Sequence, residues 1–401
     1  MLDATNPRVL VVADYYLPGF RAGGPIRAIA NSVARLAGQT SFFVVTRDHD
    51  TDGVRYTGVQ PGRWNGGRDA AVYYAPRFTV AVLERCIRES QADVVWLNSF
   101  FSRASLRLLL LRRAGRPIPP VLLAPRGEFS PAALALKAAR KRTAVRGLLE
   151  LGCLHGIHWI ASSAFEADQI RQTVGASAIT IVPESVHTAA PPEAWPVKQR
   201  GRLRAVCASR ISPMKNQHFL LEVLQHCQAP VDLDLIGPLD DETYWTECRR
   251  LIARLPPHVT VTHRGEVAHA ELMTRLSSYD LVVLPSRGEN FGHAVVEAWS
   301  AGCPVLVSDR TPWRALAADG VGWDVPLDRA RWVAALERSA AMTDAELLPM
   351  RQQSIARARR VWHDGVDGAQ ALQELIVIKA YGRLPADTPE RRVAPDATVR
   401  T

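Results

Sequence analysis

Runs of five or six apolar residues alternate along this chain with longer segments of helical period. Strand-like runs fall at 8–13, 41–46, 71–75, 93–97, 120–124, 157–161 and 178–182. Between them, at 24–37, 78–90, 102–114, 131–153 and 163–174, apolar positions recur three or four residues apart. Short strands alternating with helices predict a parallel sheet covered on both faces. The pattern stops between Pro183 and Pro196, where four prolines in fourteen residues fit neither a helix nor a central strand. It restarts with strands at 203–208, 231–236, 258–262, 280–284, 304–308 and 321–325. Helical segments follow at 215–227, 242–254, 269–278, 292–301, 328–340, 344–361 and 365–380. The chain therefore reads as α/β, with two doubly wound parallel-sheet domains. The first spans 1–190, a proline-rich linker spans 191–202, and the second spans 203–362. A further helix is expected at 363–382, and the Pro-, Arg- and Thr-rich residues 383–401 have the composition of a disordered tail. Sheets of this kind bind ligands at the carboxyl ends of their strands, so two facing domains predict a cleft.

Composition adds location and charge. Apolar residues make up 47% of the 401, enough for a core in each half. No apolar run approaches the roughly 18 residues of a membrane span. The chain opens on a strand pattern rather than a leader, which predicts a cytoplasmic protein. Six scattered cysteines without a Cys-x-x-Cys pair read as small buried residues in a reducing compartment, not as a zinc site. The net charge of +9 is uneven: residues 1–195 hold 23 Lys/Arg against 15 Asp/Glu, and the remainder 26 against 25. Residues 103–146 alone hold eleven basic residues and one acid. This asymmetry points to a first domain that faces an anionic membrane surface or a polyanion. No regular interleaving of aromatic with basic residues supports a nucleic-acid site, so nucleic acid is not expected.

Three segments carry candidate chemistry. In Asp280 to Ala298 a buried strand runs into a polar loop, and a helix starts near Gly292. Glu289 then lies at the strand's carboxyl end and Glu297 about one and a half turns inside the helix. The amides from Phe291 to Ala294 would be unpaired helix donors suited to a diphosphate. The same spacing also suits a helix that merely carries acids near its amino end. In Ala208 to Asn216, Arg210 and Lys215 project from a strand-to-helix loop, where two cations would neutralise a leaving diphosphate or simply sit in solvent. After the first strand, Gly23 and Gly24 allow close approach of backbone just before a helix. Asp232 and Asp234 alternate within a strand and read as structural. Trp313 and Arg314, again past a strand end, either shape a pocket or pack.

The stretch from Glu289 resembles the E-x7-E signature of glycosyltransferase family 4, the group 1 transferases. Glu289, Phe291, Gly292, Glu297, Ala298, Gly302, Pro304 and Val305 stand in register with it. Arg210 and Lys215 resemble the family's donor-phosphate pair. Gly23 and Gly24 resemble its Gly-Gly loop across the cleft near the acceptor, and residues 14–36 are most similar to bacterial polysaccharide-assembly members. The resemblance implies a GT-B fold, with two Rossmann-like domains facing a cleft and a last helix crossing back to the first domain. It implies a retaining transferase that takes a hexose-type sugar from a UDP- or GDP-sugar to a saccharide or polyprenyl-linked acceptor, without metal or other cofactor. Glu289 would contact the donor hexose, Glu297 the ribose, and Asn290, Phe291, Gly292 and His293 would complete the donor loop. The sequence departs from the family in two places. A cleft loop that often carries histidine has Arg126 and Glu128 instead, placed by the resemblance near the acceptor. Where Pro-Asn-Gly-Val is usual, this chain has Pro183-Glu-Ser-Val186. A sugar-nucleotide epimerase, a phosphorylase, or an inactive sugar-nucleotide-binding subunit would be alternatives on the same fold.

Overall fold

A computed structural model describes residues 6–186 and 192–382. The expected disordered tail at 383–401 lies outside the described residues, as do residues 187–191 of the proline-rich stretch. The first sheet contains β1 (Arg8–Ala13), β2 (Ser41–Arg47), β3 (Trp64–Asn65), β4 (Ala70–Ala75), β5 (Val94–Asn98), β6 (Val121–Ala124), β7 (His158–Ala161) and β8 (Ile179–Ile181). Its helices are α1 (Gly24–Leu36), α2 (Val80–Ser90), α3 (Arg103–Arg113), α4 (Pro131–Ala135), α5 (Ala138–Glu150) and α6 (Ala164–Val174). The second sheet contains β9 (Leu203–Ala208), β10 (Val231–Ile236), β11 (Val259–Gly265), β12 (Leu281–Leu284), β13 (Val305–Ser308) and β14 (Gly322–Val325). Around it lie α7 (Gln217–Leu224), α8 (Glu242–Ile252), α9 (His269–Leu276), α10 (His293–Ser300), α11 (Arg329–Ala341) and α12 (Asp344–Tyr381).

The sheet orders are β3-β4-β2-β1-β5-β6-β7-β8 and β11-β10-β9-β12-β13-β14. All pairings are parallel except β3 with β4. β3 has only two residues, too few for any period to reveal it; Trp64 sits there edge-on to Phe43 and Tyr73. Strand order reverses between β1 and β5 in one sheet and between β9 and β12 in the other. The loops leaving those four strands flank the two crevices where such sheets bind ligands.

Two helices differ from expectation. The single helix expected over 131–153 is broken into α4 and α5: Leu136 is extended and Lys137 takes a left-handed φ of 56°. The break is held by a side chain from the next turn. Lys141 Nζ donates to the Ala133 carbonyl at 2.7 Å and lies over the Phe101 ring. At the other end, the two helices expected at 344–361 and 365–380 are one α-helix of 38 residues, opened by a Thr343/Glu346 capping box and closed by left-handed Gly382. Nothing at 362–364 breaks it. Ala358 and Val361 belong to the second domain's core, while Ala369, Leu372, Leu375 and Ile376 belong to a core of the first. Helix α12 therefore crosses from one domain to the other. No helix among the described residues is long and apolar enough to cross a membrane.

Where α12 passes the chain leaving β8, it carries Gly365 and Gly368. A Cβ at Gly365 would lie 2.7 Å from the Glu184 carbonyl oxygen, and one at Gly368 2.4 Å from that of Pro183. Glycine costs helix stability at these positions, but only glycine lets the two backbones touch. Gly368→Ala must displace backbone rather than a flexible side chain. It is expected to destabilise the protein by about 1–3 kcal/mol in urea denaturation; an unchanged midpoint would show that the 183–185 segment yields freely.

Candidate functional site

The loops leaving β9 and β12 are tied together before either offers a functional group. Asn216, in a left-handed conformation at the start of α7, donates to the Pro285 carbonyl at 3.1 Å and accepts from Arg287 Nε at 3.2 Å. The Arg287 amide donates to the Met214 carbonyl at 2.9 Å. Ser308 on β13 fixes the Ser286 carbonyl at 2.5 Å, and the Glu289 amide donates to the Arg310 carbonyl at 3.0 Å. On this frame Lys215 Nζ meets Glu289 Oε1 at 2.5 Å, and Ser286 Oγ donates to the same oxygen at 2.7 Å. Two sequence candidates thus form one contact, a cation and a carboxylate at the carboxyl ends of adjacent strands. Arg210 is not part of it: its guanidinium donates to Asp240 Oδ2 at 2.6 Å, a partner that sequence reading missed.

Gly292, with φ of 82°, turns the chain into α10, whose amino end no side chain caps. Phe291 is buried against Trp313, and Trp313 Nε1 donates to the Phe291 carbonyl at 2.5 Å, so Trp313 braces the turn. His293 and Glu297 lie four residues apart on one face of α10, and that face meets the first domain.

The first domain approaches through glycines. A Cβ on Gly24 would stand 2.8 Å from His293 Cδ2, and one on Gly127 2.7 Å from the Asn290 Cβ. Gly23, with φ of 73°, makes the turn that presents Gly24 at the head of α1. Arg126 adopts a φ of 55°; its Nε and Nη2 reach Asn98 Oδ1 at 3.0 and 2.9 Å, and its Nη1 reaches Glu184 Oε1 at 3.2 Å. The other Glu184 oxygen lies 2.7 Å from His293 Nε2. Glu184, the residue that departs from the family pattern, therefore bridges Arg126 of the first domain and His293 of the second. Burial pushes its carboxyl up. The hydrogen bond and charge of His293, together with the Arg126 guanidinium, outweigh burial and hold it below the ordinary 4.5. Beside His293 on the same face, Glu297 pairs with Arg27 of α1, and His269 Nδ1 stands 3.8 Å away.

Glu128, expected beside the acceptor, is committed elsewhere. It accepts from Ser99 Oγ at 2.6 Å and from the Phe100 and Phe101 amides at 2.5 and 3.0 Å. Burial pushes its carboxyl up, and these bonds offset burial only in part. Glu128 anchors the turn before α3, a role that its place next to Arg126 does not reveal. Asp232 pairs with Arg202 at 2.6 Å, and Asp234 accepts from Tyr279 at 2.6 Å and pairs with Arg264 at 3.0 Å.

Residues 196–360 match the family described as "Glycosyl transferases group 1". The phosphatidyl-myo-inositol mannosyltransferase of Mycobacterium leprae is 30% identical over 166 residues, 40% of this chain and 39% of that protein. The D-inositol 3-phosphate glycosyltransferase of Pseudarthrobacter chlorophenolicus is 29% identical over 163 residues, 37% of this chain and 39% of that protein. The chain thus spans about two fifths of the length of the curated relatives it matches. Among solved structures, Anabaena HepE in complex with UDP and glucose superposes with a TM-score of 0.65 at 17% identity, covering 91% of this chain and 98% of HepE. Sucrose-phosphate synthase from Thermosynechococcus elongatus gives 0.70 at 17% identity, covering 93% and 100%. WaaG, a glycosyltransferase involved in lipopolysaccharide biosynthesis, gives 0.66 at 14% identity, covering 92% and 99%. The fold is GT-B.

The Glu184 bridge makes a pH prediction. Between its lowered value and 4.5 the unfolded chain holds more protons at this group than the folded protein does. Its contribution is complete above that window and is lost as pH falls through it. The raised carboxyls of Glu128 and Glu166 act in the opposite direction at higher pH and are common to both proteins compared. Unfolding free energy from urea denaturation is therefore expected to fall more steeply from about pH 5 to 3 in the wild type than in Glu184→Gln. Parallel acid limbs would show that ionisation of Glu184 is not coupled to folding.

Proposed function

We propose, from the match of residues 196–360 to the group 1 glycosyl transferases, that this chain is a retaining glycosyltransferase. It would move a hexose-type sugar from a UDP- or GDP-sugar to a saccharide or polyprenyl-linked saccharide, in the assembly of a cell-surface polysaccharide or lipopolysaccharide. The observation that carries the reading is the Lys215–Glu289 pair at the crevice between β9 and β12, with the rest of the family signature in register around it. Its support from known proteins is that HepE was solved with UDP and with UDP-glucose, and that WaaG is named for lipopolysaccharide biosynthesis.

In this scheme the donor diphosphate lies before the uncapped amino end of α10, where backbone amides and the helix dipole favour an anion. Lys215 and Arg210 offset its growing charge as the bond from the anomeric carbon to the phosphate oxygen breaks. The acceptor hydroxyl attacks from the same face, its oxygen forms the new bond to that carbon, and its proton passes to the departing phosphate oxygen. Configuration is kept, and no side-chain base is required. Glu289 orients the hexose and Glu297 takes the ribose hydroxyls. The reaction is proposed to need no metal, a reading supported by Asp232 and Asp234, whose carboxylates are held in ion pairs. The acceptor side would be the Gly23–Gly24 turn and the Arg126–Gly127 loop.

Thermal stabilisation against a panel of UDP-, GDP- and dTDP-sugars is expected to identify the donor. With that donor, Glu289→Ala is expected to abolish transfer while nucleotide affinity stays within several-fold. Lys215→Ala is expected to weaken nucleotide binding by about 1.5–3 kcal/mol. Wild-type turnover in Glu289→Ala, or no stabilisation by any nucleotide sugar, would refute the assignment.

The basic face of the first domain is proposed to rest on anionic lipid at the inner face of the cell membrane, where a polyprenyl-linked acceptor would be presented. Lys137, Arg140, Arg142 and Arg146 are exposed on or beside α5, with Leu136, Leu149 and Leu151 exposed among them. Lys141 is excluded because it holds the α4–α5 turn. Co-sedimentation with vesicles is expected to require anionic lipid, to fall with salt, and to weaken when those four cations become Gln. Equal recovery on neutral and anionic vesicles would sink the membrane contact and leave the transferase reading standing.

A further inference from the structure

Arg27 of α1 reaches directly onto α10. It lies just past the Gly23–Gly24 turn, and its Nη1 donates to Glu297 Oε1 across 270 residues of sequence. The Glu297 side chain is 12% exposed and that of Arg27 40%. On the far side, His269 of α9 brings Nδ1 to 3.8 Å from the same oxygen. An exposed glutamate samples several rotamers. Here one carboxylate oxygen is engaged from the first domain and flanked from the second, which fixes the direction in which the other oxygen is offered. The contact also depends on how closely the domains sit, because Gly24, three residues before Arg27, lies against His293.

We infer that Arg27 is a positioning residue for nucleotide recognition: from the acceptor-side domain it sets the Glu297 carboxylate so that its remaining oxygen meets the ribose hydroxyls. The inference rests on the reading of Glu297 as the ribose-binding residue. It makes ribose recognition a property of both domains together. Donor binding and the closeness of the domains are then linked, each favouring the other to the same degree.

The test uses the full chain and the pair UDP and dUDP, which differ by the ribose 2′-hydroxyl, or GDP and dGDP if the panel selects guanine. Affinities are measured for wild type, Arg27→Ala, Arg27→Lys and Glu297→Ala, with thermal midpoints confirming that each is folded. The wild type is expected to prefer the ribonucleotide by on the order of tenfold, the loss of about one charge-assisted hydrogen bond. Glu297→Ala is expected to bring that ratio close to one. Arg27→Ala is expected to reduce it at least threefold with affinity for the deoxynucleotide little changed, and Arg27→Lys to restore part of it. A wild-type ratio in Arg27→Ala alongside a lost ratio in Glu297→Ala would overturn the role of Arg27 alone. Equal weakening of both nucleotides by Arg27→Ala would also overturn it, placing Arg27 on the phosphates or on domain closure. No preference in the wild type, or one that survives Glu297→Ala, would overturn the ribose reading itself and this inference with it.

Discussion

The face of α10 that bears His293 and Glu297 is the surface on which the two domains meet, and much of the molecule is arranged to permit that contact. Residue 24 has no side chain because His293 occupies the space, and residue 127 has none because Asn290 does. Arg126 holds a left-handed backbone so that its guanidinium can reach both Asn98 and Glu184. The contact is mainly polar and charged, with ion pairs ranging from the buried Glu184 to the partly exposed Arg27. Exposed ion pairs contribute little to stability. A seam built this way favours one relative placement of the domains without welding them into a shared apolar core.

At the other end of the second sheet the linker is anchored. The linker and α12 gather around Asp280 at the amino end of β12, far along the strand from Glu289. Asp280 Oδ1 meets Arg204 Nη2 at 2.6 Å, and its carboxylate lies 3.8 Å from Lys198 and 3.7 Å from Arg351. Arg351 also donates to the Tyr279 carbonyl at 3.0 Å and lies over the Trp195 ring. Buried charges of this kind persist only when paired and hydrogen-bonded, and they specify geometry more than they add stability. The second sheet thus has a rigid, charge-laced end at the linker and a polar end at the cleft.

Much of the fold could be read from sequence where structure is decided locally. β9 and β10 are legible to the residue: β9 is apolar from Ala205 to Ala208, β10 alternates apolar residues with Asp232 and Asp234, and each ends at a polar loop. The break between α4 and α5 could not be read, since it depends on Lys141 reaching back to Ala133 and across to Phe101. The continuity of α12 across 362–364 could not be read, since the residues before that point serve the core of one domain and those after it the core of the other. The site divides in the same way. Lys215 and Glu289 come from neighbouring loops of one sheet, so their meeting follows from strand order. The contacts Arg27–Glu297 and Arg126–Glu184–His293 join residues of different domains, and no spacing in the chain encodes them. Glu128 shows the converse: next to Arg126 it looked like site chemistry, yet it is a buried anchor for three donors.

Helix α12 has a consequence for how the protein is made. Leu372, Leu375 and Ile376 pack with Val9 and Val11 of β1 and Ile29 and Val33 of α1. The first domain leaves the ribosome with α1 in place on that face but without the α12 residues, which are not translated until the whole second domain has followed. Domains usually fold as units in the order of synthesis. Here the first domain completes that core only once α12 is made, with apolar surface open to chaperones or to misassembly in the interval.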